Sequence, residues 1–328
     1  MMDELKARLG PEVLGLTVFL LAVMLVFSFL SDRFLTSANF GSVAVQLPEL
    51  GILTLAMLLP ILSGGLNLAI ISTANISALT VAWVLQVNGG PEAGMGAFLL
   101  GAALALAVGG AAGFVMGAVT AVSGAHPILV SLAMMIFLRG LGEYLTRGGD
   151  ISGFPDFVAA IGHGSLLGIP APLIVFLACV AVWQVLLGRT RLGFFTYMVG
   201  SNIEATRYSG VDTKRALMLI YTLSGVMCAI AGIVMMARFN SVRVGHGEAY
   251  LLITVLACFL GGVDPFGGFG RVASVLLALV ILQILSSGLN LLGANQHLST
   301  AVWGLFLIAV MVLRFGWKRW FERKRGKT

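Results

Sequence analysis

Long apolar stretches alternate with short polar turns along the whole chain. Their spacing predicts ten membrane spans, at about 13–31, 43–62, 66–87, 94–122, 127–145, 171–188, 216–237, 250–262, 271–291 and 298–315. A helix needs roughly 20 apolar residues to cross the hydrocarbon core. The eighth stretch falls short of that length, which predicts a re-entrant or broken element. Pro48 and Pro60, followed by Gly64-Gly65, predict a break in the second span, because proline removes a backbone donor and crowds the preceding turn. Broken backbone at membrane depth is tolerated only where it is buried in protein or lines a watery cavity. The expected fold is all-α: a polytopic helical membrane protein with about ten transmembrane helices, forming one transmembrane domain over residues 1–328.

Composition sharpens this picture. The chain is 59% apolar and 10% charged, against roughly 45–50% and 25% in soluble domains, which excludes an ordinary water-soluble enzyme. The charges bunch at 1–12, 189–215 and 314–328. With both termini cytoplasmic, Lys6, Lys214, Lys318, Lys324 and Lys327 all fall inside, and only Arg33, Arg139, Arg147, Arg238 and Arg243 fall outside. The Lys and Arg bias toward the cytoplasm selects this threading over its inverse. The net charge of +6 is thus a topology signal and gives no reason to expect nucleic acid. The tail, residues 314–328, reads as a stop signal beside anionic lipid, with Trp317 and Trp320 at the interface. Val13 to Leu30 is too long for a signal-peptide core and lacks a small-x-small cleavage pattern, so it is expected to stay as the first helix.

Several chemistries drop out. Cys179, Cys228 and Cys258 lie inside apolar segments, and His126, His163, His246 and His297 are scattered, so neither a disulfide framework nor a metal site is expected. No phosphate-binding loop occurs; the glycine-rich stretch 261–270 contains no lysine and follows an apolar helix rather than a strand. Nothing converges as nucleophile and base, so no catalytic residues are expected.

Polar residues inside the spans carry the remaining information. Ala97, Gly101, Ala105, Gly109, Gly113, Gly117 and Ala121 recur every four residues, a small-residue face that lets helix backbones approach closely in lipid. An intramolecular packing seam is the favoured reading over a dimer interface. After the expected break come Asn67, Ser72, Thr73, Asn75 and Ser77, and a second face carries Gln283, Ser286, Ser287 and Asn290. Such uncharged amides and hydroxyls suit a path for a neutral, hydroxyl-rich solute, and equally suit hydrogen bonding that holds helices together. On the first reading, Asn75 and Gln283 face a common central cavity. Arg139 and Glu143, four apart, predict a local ion pair or a gate contact.

The most informative soluble segment is the cytoplasmic loop 189–215. Gly200 and Gly210 bracket a short helix-forming stretch with Glu204, Ala205 and Arg207, which Asn202 is placed to cap. Here the chain resembles the permease subunits of bacterial ABC importers for ribose, xylose, arabinose, galactose and related solutes. The resemblance rests on Thr190-x-Leu192-Gly193, Gly200-Ser201-Asn202, Glu204-Ala205 and Ser209-Gly210-Val211. It extends to Tyr221-Thr222-Leu223-Ser224-Gly225, the double glycines 261–262 and 267–268, and Ser63-Gly64-Gly65-Leu66. It implies a bacterial inner-membrane importer with a second permease subunit, a cytoplasmic ATPase that binds ATP in place of this chain, and a periplasmic solute-binding protein. The 200–211 segment would couple to the ATPase, and no cofactor would be bound by this chain. A secondary carrier or channel for a small polar solute is the alternative.

Overall fold

The computed structural model describes residues 2–166, 168–295, 298–299, 301–310 and 312, with side chains from residue 13 onward. The basic tail, His297 and the end of the last expected span lie outside the described residues. Eight helices among the described residues are long and apolar enough to cross a membrane: α1 (Met2–Leu30, apolar from Val13), α2 (Ser37–Leu62), α3 (Ile70–Val87), α4 (Met95–Ser123), α5 (Pro127–Thr146), α7 (Ala171–Arg189), α10 (Thr213–Phe239) and α12 (Val272–Leu291). Two shorter apolar helices, α11 (Tyr250–Leu260) and α13 (Ala301–Val310), take the places of the eighth and tenth expected spans. The chain is a polytopic helical bundle.

Small elements sit at the two ends. At the outer end, α6 (Asp156–His163) follows strand β1 (Ile151–Ser152), which pairs antiparallel with β4 (Ser241–Val242). A tight hairpin, β2 (Ser165–Leu166) with β3 (Ile169–Pro170), leads into α7. At the inner end, marked by its Lys and Arg, α8 (Arg191–Ser201) and α9 (Ile203–Tyr208) form the loop between α7 and α10.

Helix α2 is the hub, buried from Pro48 to Leu62. The expected break at its prolines does not occur: the helix runs unbroken through Pro48 and Pro60. Pro60 cannot donate to the Ala56 carbonyl one turn back, but the Ser224 hydroxyl on α10 donates to that oxygen instead, at 2.7 Å. Ser224 Oγ in turn accepts from Asn67 Nδ2 at 2.9 Å. A neighbouring helix thus satisfies the carbonyl that proline frees, the condition under which a spanning helix tolerates it. The helix ends at Leu62, and Gly64 then adopts φ +83.

The small-residue face of α4 is an intramolecular seam. Gly109 lies against the Gly225 carbonyl, Gly113 against the Tyr221 carbonyl and Gly117 against Met218, all on α10, while Gly101 meets Val81 on α3. A methyl group at Gly109, Gly113 or Gly225 would collide with backbone.

Candidate functional site

The polar residues of α2 and α12 come together as facing stripes. Asn39, Ser42, Gln46 and Glu49 follow one another at three- and four-residue steps on α2, which puts them along one face. Across from them, Ser287 donates to Asn39 Oδ1, and Gln283 Nε2 donates to Gln46 Oε1 at 3.1 Å. Gln46 Nε2 passes the chain on to Ser42 Oγ at 2.8 Å. Exposure falls stepwise inward: Ser42 is exposed, Gln46 half-buried and Glu49 fully buried. Asn290 lies exposed at the outer end of the same face of α12. Exposed hydroxyls and amides within a span are costly against lipid tails, so this outer half of α2 faces water or protein.

At the foot of the stripe is a charged cluster. Glu49 Oε2 lies 2.8 Å from Arg238 Nη1 on α10, an ion pair rather than a directed hydrogen bond. The hydroxyl of Tyr250, the first residue of α11, donates to the same Oε2 at 3.2 Å. Glu49 Oε1 and Arg238 Nη1 are buried with no hydrogen-bond partner among the described residues. Glu49 stands thirteen residues from Leu62, about 20 Å along the helix at 1.5 Å per residue, about midway along α2 and beside the outer end of α10.

Of the other sequence-marked polar residues, Asn67 and Asn75 bond within the bundle, while Thr73 Oγ1 and Ser77 Oγ are buried with no hydrogen-bond partner among the described residues. Asn67 bonds Ser224 and, through Oδ1, the backbone N–H of Ala69 at 3.0 Å. Asn75 Nδ2 donates to the carbonyls of Val244 and His246 at 2.5 and 3.1 Å. Ser72 is buried on α3. Asn75 and Gln283 therefore have different partners on different elements. The segment that Asn75 holds, residues 243–249, joins α10 to α11 and borders an outer polar cavity of about 300 Å³. Arg139 bridges Glu143 at 3.0 Å and Glu248 at 2.9 Å on its rim, so the expected ion pair reaches a third residue. The His246 ring lies 5.2 Å from that of Phe239, tilted at 54° to it, and burial, with Arg243 adding and Asp150 opposing, pushes its imidazole below the usual range.

At the inner end, Asn202 caps α9 as its sequence position suggests, Oδ1 accepting from Ala205 N at 2.9 Å. Gly210 closes the turn at φ +82. Ala205 is exposed, and Glu204 and Arg207 are more than half exposed, 3.8 Å apart, close enough only for a weak surface pair. Between α8 and α9 runs a groove of about 290 Å³ lined by Phe194, Tyr197, Met198 and Asn202. Gly200 packs against the Leu62 carbonyl, and Gly268 N donates to that carbonyl at 2.9 Å. Tyr197 donates to the Gly270 carbonyl at 3.0 Å. The inner helices thus touch the end of α2 and the segment after α11 at one junction.

The sequence reading did not single out Asn39, Ser42, Gln46, Glu49, Arg238 or Tyr250. Their available signal was the polar stripe on α2 ending in a lone acid within an apolar stretch.

Residues 39–313 match the family described as branched-chain amino acid transport system / permease component. The chain is 33% identical over 303 residues to the ribose import permease protein of Escherichia coli K12, covering 90% of this chain and 91% of that relative. It is 28% identical to the autoinducer 2 import system permease protein of Photorhabdus temperata, over 98% of this chain and 97% of the relative. The corresponding protein of Yersinia enterocolitica is 30% identical over 81% of this chain and 80% of its own length. No solved structure matches significantly.

Proposed function

Because the chain belongs to the family of branched-chain amino acid transport system permease components, we propose that it is the permease subunit of an ATP-driven ABC importer for a sugar or sugar-like solute, a multi-pass protein of the bacterial inner membrane. The import of ribose and of autoinducer 2 by similar permeases supports that solute class. The observation that carries the reading is the pairing of a polar, outward-opening α2/α12 stripe with a capped helix exposed at the inner end. A carrier working without an ATPase leaves that inner helix with no task.

Solute arrives from a periplasmic binding protein, descends along Ser42, Gln46, Gln283, Ser287 and Asn290, and meets the closed middle of the bundle. Asn67, Ser72 and Asn75 serve the path from behind, holding the 63–69 turn and the 243–249 segment in place. A cytoplasmic ATPase binds the ATP and seats α9, with Asn202, Ala205 and the bracketing Gly200 and Gly210 setting its shape and Glu204 and Arg207 offering charge. A second permease subunit covers the outer half of α2, and lipid surrounds the rest. This chain performs no covalent chemistry; its work is conformational.

The test reverses both charges of α9, Glu204→Lys with Arg207→Glu, in the complex with its ATPase and binding protein. Uptake is expected to fall while subunit yield stays at the wild-type level and ATP hydrolysis loses its response to loaded binding protein. Normal stimulated hydrolysis and uptake in the double variant would overturn the coupling role.

A further inference from the structure

We propose that Glu49 and Arg238 form the point at which the path is closed in this conformation, and that together they contact a hydroxyl group of the passing solute. The inference rests on the permease reading and names the contact that reading leaves open. Charged side chains buried within a membrane bundle are costly and usually mark a functional contact. A pair kept only to hold helices together would satisfy both carboxylate oxygens, as buried polar groups almost always are. Here Arg238 and Tyr250 converge on Oε2 and leave Oε1 buried with no partner among the described residues. Glu49 Oε1 is an acceptor without a hydrogen bond, and Arg238 Nη1 is a donor whose one contact, the ion pair to Oε2, is not a directed hydrogen bond. A hydroxyl supplies the complementary donor and acceptor at once, which an apolar or purely anionic solute does not.

Position agrees with chemistry. The pair stands where the α2 stripe passes from exposed Ser42 through half-buried Gln46 to full burial. It also stands at the head of α11, a helix too short to span the membrane, and broken helices in transporters commonly present their ends to solute. The two anchors come from different sides: Arg238 ends α10, Tyr250 begins α11, and residues 240–249 connect them. Separating α11 from α2 breaks the Tyr250 contact to Oε2.

The experiment uses the assembled complex with its ATPase and binding protein, and the membrane-impermeant thiol reagent MTSET as probe. Glu49→Cys is combined with Arg238→Gln so that no charge is stranded, and labelling is measured without nucleotide and with ATP trapped by a hydrolysis-deficient ATPase. The three native cysteines, Cys179, Cys228 and Cys258, all buried, give the background, measured on the parent complex. The expected result is labelling several-fold faster in one nucleotide state than in the other. If the pair lowers subunit yield, Tyr250→Cys on the intact Glu49–Arg238 pair gives the same readout. A thiol that stays inert in both states, at normal yield and with normal ATPase activity, overturns the inference. Absence of ATPase activity in the wild-type complex would instead count against the permease reading itself.

Discussion

Ser224→Ala removes the hydroxyl that stands in for Pro60 and tests whether α10 is what lets α2 run on through that proline. The substitution strands two buried groups, the Ala56 carbonyl and the Asn67 amide. An orphaned buried group costs about 1–3 kcal/mol in soluble proteins, but hydrogen bonds between membrane helices average nearer 0.6 kcal/mol and reach about 1.7 kcal/mol. Two such bonds put the loss at about 1–3 kcal/mol. The informative control is Pro60→Ala, which returns an N–H to the Ala56 carbonyl. In that background Ser224→Ala strands only Asn67, so its cost drops by about half, a coupling of about 1 kcal/mol between residues that never touch side chain to side chain. Reversible unfolding in mixed micelles by SDS titration, read from far-UV circular dichroism, measures all four members of the cycle. An unchanged cost in the Pro60→Ala background would refute the account of the unbroken helix.

On α4, Gly113→Ala should lower folded yield and stability by about 1–3 kcal/mol, because the new methyl meets the Tyr221 backbone. Gly96→Ala, with open space around it, should be neutral in the same unfolding assay. His246 gives a pH dependence: burial holds its imidazole below the ordinary value of 6.5, so the folded chain binds that proton less readily than the unfolded chain. Stability is therefore expected to fall as pH drops through about 6.5, and His246→Gln should flatten that slope between pH 7.5 and 5.5 in a thermal melt.

What the sequence made legible is what depends on one helix at a time. Apolar length located the spans, including the short α11, and four-residue spacing exposed the seam that Gly109, Gly113 and Gly117 build. Asn202 announced its cap because capping is decided within three residues. The misreading of Pro48 and Pro60 has the same origin. Whether a proline breaks a helix depends on who fills the vacated acceptor, and Ser224 lies 168 residues away. Gln283 and Ser287 were visible as a face, but a face does not name its partner. Only the packed bundle pairs them with Gln46 and Asn39. Glu49 and Arg238 were hidden because the pair exists only where α2, α10 and α11 meet: Glu49 is the one charge on α2, and Arg238 lies at the far end of α10 from Lys214 and Arg215.

The junction of Gly64, Gly200, Gly267 and Gly268 bears on how force moves through the molecule. There the inner helices meet the end of α2 backbone against backbone, with no side chain between them. A long side chain at such a joint would rotate among its rotamers and take up the first ångström of any push as slack. Peptide planes have no such play. A displacement of α8 would therefore meet the Leu62 carbonyl directly, through backbone contact alone. Any side chain at Gly200 would collide with the Leu62 carbonyl and the Gly268 amide, so it would force the joint apart and put a compliant side chain where backbone now meets backbone.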